Sequence, residues 1–539
     1  MKEAKIFHIL SLLLLSVLIV ACSSEEPSGA EEDEDAADSD VAEEEDGGSD
    51  AEASDQENEL VIAVNENFIT MDPHNTGDRN SNAVQSAMYE GLIAEQDGEI
   101  VPMLAEEFEV NDEATEVTFK LREGVTFHDG AAFNAEVVEA NFERIRDPDK
   151  NLRLYSRGFN EITEIEIVDE YEIKMTLEQP NSNILTKIVP AGMVSPKALE
   201  EDADLSQTLV GTGPYQFVEW VQGDHLTIEL FEDYWNDGQA TVEKITYRPV
   251  PENGARVAML QTGEADFIFP APTQNLDELE ADENIIVETN NSTIANYISL
   301  NTMKEPFDDP RVRQALNYAI DKDAFIEVVM AGYASPLDSV LPNTIFNYQE
   351  QQSYDYDLEK AKALLAEAGY EDGFSAEIWG NTNSNTVRGM QFIQQQLSQI
   401  GVDLEVLSME EGTLSDRIYG GHTPEEAEVE MWYVSWGGYP SDTDHMIRPI
   451  LGGDSFPPGG GNSAYFSDEE VDSWLQEANT VTDSDLQYET YGNVQQKIYE
   501  EAPWIFLASD ENIYALRDHV DGVFVTPNGR INVNHAKIK

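Results

Sequence analysis

The sequence predicts an α/β protein with a parallel-rich sheet, and three observations carry that prediction. Amphipathic helices at 358–368 and 386–400 alternate with strands at 375–379, 402–408 and 429–436, which is the order of βαβ units. The run Met431-Trp432-Tyr433-Val434 is continuously apolar, as in a strand covered on both faces. With 539 residues, 41% hydrophobic and 9% aromatic, the chain has material for more than one core, so two or three lobes are expected.

Along the chain, Lys2 and Lys5 precede the apolar run Ile6–Ala21, which is shorter than the roughly 20 residues of a spanning helix. Residues 1–21 are therefore expected to be a secretory signal. Cys22, the one cysteine, follows directly in Leu18-Ile19-Val20-Ala21-Cys22-Ser23-Ser24. This resembles the lipobox of bacterial lipoproteins, with Ile19 where leucine is usual, and implies cleavage before Cys22 and its acylation. Residues 22–58 continue in Ser, Gly, Ala, Asp and Glu with little to bury, as expected of a disordered acidic linker. One cysteine allows no intrachain disulfide and no thiolate cluster.

The net charge is −77, and the tail explains only part of it. Residues 1–22 carry +1 and residues 23–58 carry 17 acids and no base, which leaves −61 for residues 59–539. Such a surface repels nucleic acid and anionic membranes, so neither is expected as a binding partner. Dispersed acidity suits a salty or alkaline surrounding, where screening lengths fall to roughly 3 Å near 1 M salt. No Asp-x-Asp-x-Asp-Gly loop points to calcium.

In the body, Leu60–Val64 is a buried strand ending in the polar loop 65–74, whose Asn67, Phe68 and Thr70 are candidate pocket residues. Residues 84–97 suggest a helix. Residues 116–130 alternate with period two up to a glycine turn and predict a hairpin. A helix follows at 134–146. At 310–320, Pro310 stands behind Asp309 at a first helical position, and Val312, Ala315, Leu316 and Ala319 make one stripe. Asp357 and Gly369 bracket the helix at 358–368. Ser467 with Glu470 suggests a capping box before Val471, Trp474 and Leu475.

The segment Leu104–Gly130, with its core Lys120-Leu121-Arg122-Glu123-Gly124-Val125-Thr126-Phe127-His128-Asp129-Gly130, resembles the signature of extracellular solute-binding proteins of the peptide, glutathione and nickel group, family 5. Agreement continues through Val210–Tyr215, Val257–Asp266 and Asp309–Ile320, and it is nearest to glutathione-binding members at Ala331–Ala334 and Gln391–Gln399. The resemblance implies a class II periplasmic-binding-protein fold, with two lobes around a cleft and an extra α/β subdomain. Lobe I would comprise 59–88, 208–300 and 507–539, the subdomain 89–207, and lobe II 301–506. It further implies the receptor of an ABC importer, with glutathione or a short peptide as ligand and a membrane permease as partner. Such a receptor would be held at the outer face of the cell membrane through its lipid and is expected to be monomeric, without cofactor or metal.

The ligand site is expected at strand ends, where α/β sheets place their ligands. The stretch Trp436-Gly437-Gly438-Tyr439-Pro440-Ser441-Asp442-Thr443-Asp444 offers aromatic faces, bare backbone N–H groups and two carboxylates. Strand 375–379 ends at Trp379 and leads through Asn381 and Asn383 to Arg388 in the first turn of a helix, which is a carboxylate site on physical grounds. Asp442 or Asp444 could take a ligand amine, or one of them could cap the helix near 445–451. Dipeptide-binding relatives carry an acid and an arginine where this sequence has Tyr439 and Asn381, which turns the expectation towards glutathione or another modified peptide.

Catalysis finds no footing. No Gly-x-Ser-x-Gly, Walker loop or His-Glu-x-x-His is present. His74, His128, His225, His422, His445, His519 and His535 are scattered, and only His445, beside Asp444, stands near the candidate site. Gly211-x-Gly213 precedes strands and is structural. The alternatives are a nickel-chelate or haem receptor on the same scaffold, and a surface peptide hydrolase.

Overall fold

The computed structural model describes residues 58–539, apart from 97, 201–202, 237–239 and 421–422. The signal, Cys22 and the acidic linker up to residue 57 lie outside the described residues.

One eleven-stranded sheet runs through this body. From one edge its strands are Val402–Met409, Phe374–Asn381, Met431–Trp436, Ile285–Leu300, Trp504–Arg517, Phe267–Phe269, Glu59–Val64, Lys244–Pro249, His225–Leu230 and Tyr215–Val221, with Ala334–Pro336 also paired to Trp504–Arg517. Parallel pairing is confined to two places: Phe374–Asn381 with both its neighbours, and Glu59–Val64 with both of its own. The remaining pairs are antiparallel, so the sheet is mixed rather than parallel-rich. The βαβ pattern correctly gave the local pairs. It could not give the two long strands that join them.

Those long strands are Ile285–Leu300 and Trp504–Arg517. They pair antiparallel from Ile285 opposite Arg517 to Ser299 opposite Trp504, with irregularities between Asn291 and Ala295 and again between Asn296 and Tyr297. The irregular stretch buries polar side chains: Ser292, Thr293, Asn296, Ser509 and Asn512. Separate apolar cores lie beyond it. One is built on Leu60, Ile62, Tyr215, Tyr247 and Phe267, and others on Tyr297, Trp504 and Phe506 and on Ile378, Met431 and Ile505. A fourth core, with Phe119, Phe142, Phe159 and Met175, belongs to a separate four-stranded sheet of Ala105–Val110, Glu116–Leu121, Glu172–Leu177 and Ile162–Asp169, covered by the helix Ala135–Arg146.

Local chemistry accounts for most of the helices. Asp357 accepts from the Lys360 N–H at 2.9 Å, and Gly369 (φ +93°) ends the helix Leu358–Ala368 in the left-handed conformation. Asp309 caps Pro310–Tyr318 in the same manner.

Three expectations are corrected. The helix placed at 84–97 is Arg79–Met88, started by Asp78, which accepts from Ser81 N–H at 2.8 Å; Ile93–Gln96 is a strand paired with Glu99–Pro102. Its polar first turn, Asn80-Ser81-Asn82, hides the start from a reading based on apolar spacing. The hairpin over 116–130 does not form. Glu116–Leu121 pairs with Ala105–Val110 and Glu172–Leu177, while 122–132 is a loop turned by Gly124 and Gly130 at positive φ and closed by a single bridge between Thr126 and Ala132. Alternation identifies a strand but not its partner. The helix after 467 is capped by Asp468, not Ser467; its carboxylate accepts from Glu470 and Val471.

Candidate binding cleft

The strand Met431–Trp436 lies between Phe374–Asn381 and Ile285–Leu300, and its first four residues are buried. Beyond Trp436 the chain must turn within a narrow gap. A Cβ at Gly437 would lie 3.1 Å from the Thr293 carbonyl oxygen, and one at Gly438 3.0 Å from His445 Cδ2 and Met446 Sδ. Two glycines therefore let the loop pass between the long central strand and the helix Thr443–Leu451.

That loop forms one wall of a cleft of about 860 Å³. Trp436, Gly437, Gly438, Tyr439, Asp442, Asp444 and His445 line it. Opposite them stand Thr76, Gly77 and Arg79 around the start of the first helix, Arg153 and Arg157 from the four-stranded region, and Lys187. The cleft thus gathers five arginine and lysine side chains, counting Arg448, against two aspartates, in a chain with 30 basic and 107 acidic residues.

The two aspartates already have partners. Asp442 caps Thr443–Leu451 by accepting from His445 N–H at 3.1 Å, and its other oxygen lies 3.7 Å from Arg157 Nη2. Asp444 is held by Arg448, whose Nε donates to both of its oxygens at 2.9 and 3.0 Å and whose Nη2 lies 2.8 Å from Oδ1. Of the cations, Lys187 pairs with Glu161 at 3.1 Å, whereas Arg79 and Arg153 make no ion pair among the described residues. The Arg157 guanidinium lies over the Tyr439 ring. His445 packs against Trp436 in a tilted arrangement, with ring centroids 5.4 Å apart, and burial pushes its imidazole pKa down.

Three polar atoms on the cleft walls are buried without a hydrogen-bond partner among the described residues: Thr76 Oγ1, Arg157 Nη2 and Trp436 Nε1. They come from three separate segments of the chain.

Hydrogen bonds also join residues 95–183 to residues 441–491. Ser441 donates from its N–H and its hydroxyl to Glu95. Asn183 donates to the Tyr491 hydroxyl at 2.9 Å and to Asn479, and Ser182 to the Ala478 carbonyl.

The other expected site residues sit elsewhere. Phe68 is in the core, edge-on to Trp220 and Tyr247, with Asn67 exposed beside it, and Thr70 accepts from Asp72 N–H. Trp379 is buried, donating to Glu377 and carrying the Arg417 guanidinium 4.7 Å over its ring. Asn381 donates to Glu411, Asn383 caps the helix Ser384–Ser398, and Arg388 is exposed on that helix. None of these seven lines the cleft, whose remaining lining includes Thr76, Gly77, Arg79, Arg153, Arg157 and Lys187 where 379–388 was expected.

A signal for the missed wall exists. Arg144, Arg146, Lys150, Arg153 and Arg157 put five basic residues into fourteen positions of a chain poor in them. Two of them line the cleft; Arg144 is instead taken by Asp72 at 2.6 Å and by His74. His74 and His128 are structural, both bonded to backbone carbonyls; burial pulls each down to about 4. His422 lies outside the described residues. Among the described residues, no three His, Cys, Asp or Glu side chains are grouped to hold a metal ion, and no helix is long and apolar enough to cross a membrane.

The family model of bacterial extracellular solute-binding proteins, family 5 Middle, matches residues 99–457. The chain belongs to that family. This family 5 protein is 38% identical over 487 residues to the glutathione-binding protein GsiB of Salmonella typhimurium (strain LT2), covering 89% of this chain and 94% of the relative. Among solved structures it is similar to HbpA2 from Haemophilus parasuis, with a TM-score of 0.80, 26% identity, and coverage of 89% of this chain and 100% of that one. It is also similar to the periplasmic binding protein DppA from Helicobacter pylori in complex with the peptide STSA, with a TM-score of 0.72, 28% identity, and coverage of 89% and 98%. The mixed α/β body with its cleft and separate four-stranded region is thus the periplasmic-binding-protein fold expected from the sequence.

Proposed function

We propose that this family 5 protein is the receptor of an ABC importer, captures glutathione or a short peptide by cleft closure, and delivers it to a membrane permease. The observation that carries this reading is the cleft itself. It is walled by aromatic rings and a surplus of basic side chains, and flanked by two long strands with an irregular, polar crossing. A ligand that touches both walls stabilises the closed arrangement by its differential affinity for it. The relative named for glutathione binding, 38% identical across nearly the whole chain, supports that ligand class.

The reading extends to the rest of the chain. Lobe I takes 59–88, 208–300 and 507–539, the subdomain 89–207 and lobe II 301–506. The protein works as a monomer, binds without catalysing, and stays outside the cytoplasmic membrane through acyl chains on Cys22; more than one chain is needed for stable anchoring.

Isothermal titration of the full chain in detergent with glutathione, dipeptides and longer peptides tests the ligand. Saturable heat with at least one of them, and recovery of that ligand unchanged, is the expected result; no heat with any would refute the receptor reading. For the anchor, labelling of cells with a palmitate analogue should mark the protein and fail for Cys22→Ala.

A further inference from the structure

We propose that the cleft selects a ligand carrying two carboxylates and a net negative charge, and that it reads those carboxylates far more strongly than an amine. The inference rests on the receptor reading above and names its substrate class.

The argument starts from the hydrogen-bonding inventory of the walls. A buried donor without an acceptor is costly, and binding is favoured when a ligand supplies what is missing. Arg157 Nη2 and Trp436 Nε1 can only donate, and the Thr76 hydroxyl can donate too. What these three atoms lack in common is an acceptor, and carboxylate oxygens are the strongest acceptors a peptide-like molecule offers. Arg79 and Arg153 add two guanidinium groups to the cleft lining that make no ion pair among the described residues.

The two aspartates that line the cleft stand beside arginines. An ammonium group needs a carboxylate to receive it. Asp442 caps its helix through Oδ1 and keeps Oδ2 3.7 Å from Arg157 Nη2, and Asp444 is chelated by Arg448. An amine at Asp444 would have to displace Arg448, and one at Asp442 would sit against the Arg157 guanidinium, so the expectation that Asp442 or Asp444 receives it is replaced by one in which carboxylates dominate recognition. A zwitterionic dipeptide or tripeptide has one carboxylate and one ammonium and meets half of this inventory. A molecule with two carboxylates, such as glutathione, meets more of it. One without the amine loses little.

The test uses the full chain and a matched series in titration calorimetry: glutathione, its glycine amide, its des-amino analogue in which a glutaryl group replaces the γ-glutamyl group, and trialanine. The amide removes one carboxylate at nearly constant size, and the glutaryl analogue removes only the amine. The expected order is glutathione and the glutaryl analogue within about threefold of each other, with the amide and trialanine at least about tenfold weaker. Trp436→Phe, which keeps the ring and removes Nε1, should narrow the gap between glutathione and its amide. If trialanine binds as tightly as glutathione, or if the glutaryl analogue fails while the amide binds, the inference is overturned and the receptor reading stands. If none of the four and no longer peptide binds, both fall.

Discussion

The guanidinium carbon of Arg157 lies 4.5 Å from the centroid of the Tyr439 ring. The two residues are 282 positions apart and both line the cleft, so the contact joins two distant segments of the chain there. A guanidinium over an aromatic face contributes ~0.5–1 kcal/mol at partly exposed sites. Tyr439 therefore orients Arg157 within the cleft. Tyr439→Ala should weaken ligand binding about two- to fivefold, whereas Tyr439→Phe, which keeps the ring, should bind like wild type in calorimetry. Equal losses for both would assign the effect to the hydroxyl instead.

Asp510 sits where the two long strands cross irregularly. It accepts from Asn296 Nδ2 at 2.5 Å, and Asn296 in turn accepts from the Ser435 hydroxyl at 2.6 Å. Burial pushes the Asp510 carboxyl up to about 6, opposed by the Asn296 hydrogen bond and the charge of Arg79. A carboxyl raised in the folded state binds its proton more tightly there than in the unfolded chain. Its contribution is most favourable below the unfolded pKa near 4 and is lost as pH rises through about 6. Asp510→Asn should thus be more stable than wild type by ~1–3 kcal/mol at pH 8, with the difference vanishing near pH 4. Denaturant titrations at the two pH values check this; a pH-independent difference would contradict it.

Gly211 illustrates a glycine fixed by contact. Its carbonyl accepts from His128 N–H at 2.9 Å, and a Cβ built on it would fall on the Met88 carbonyl at the end of the first helix. Backbone cannot step aside as a flexible side chain can. Gly211→Ala should lower stability by about 1–3 kcal/mol or more, read from the midpoint of chemical denaturation. Gly98→Ala is the contrasting case, because nothing lies within 4 Å of its Cβ, and its penalty should come only from its positive φ.

How much of this was legible depended on which physics each feature uses. Helices such as Leu358–Ala368 announce themselves through a cap, a stripe and a stop that are all local, and the sequence reading places them within two residues. The loop from Trp436 to Asp444 was found because turn chemistry follows an apolar run, which is also local. The opposite wall was not, because Thr76, Arg79, Arg153, Arg157 and Lys187 meet only through chain crossings that no window contains. The same limit explains the false hairpin: Glu116–Leu121 pairs with Glu172–Leu177, more than fifty residues away.

Arg388 is the sharpest case, because the physical case made for it was sound in isolation. A helix N-terminus followed by an arginine does favour a carboxylate. Yet the N-terminus of Ser384–Ser398 is capped by Asn383, Ser384, Asn385 and Arg388 are exposed, and Arg388 does not line the cleft. Arg153, on the opposite wall, lines it without an ion pair among the described residues. The two arginines should therefore part company in calorimetry with glutathione. Arg388→Ala should leave affinity within about twofold of wild type, and Arg153→Ala should lower it about three- to tenfold, as expected for one charge-assisted hydrogen bond in a partly solvated site. The Arg153 loss should shrink as ionic strength rises, because screening weakens the same attraction in the wild type. A loss at Arg388 matching that at Arg153 would return the carboxylate to the helix where the sequence first placed it.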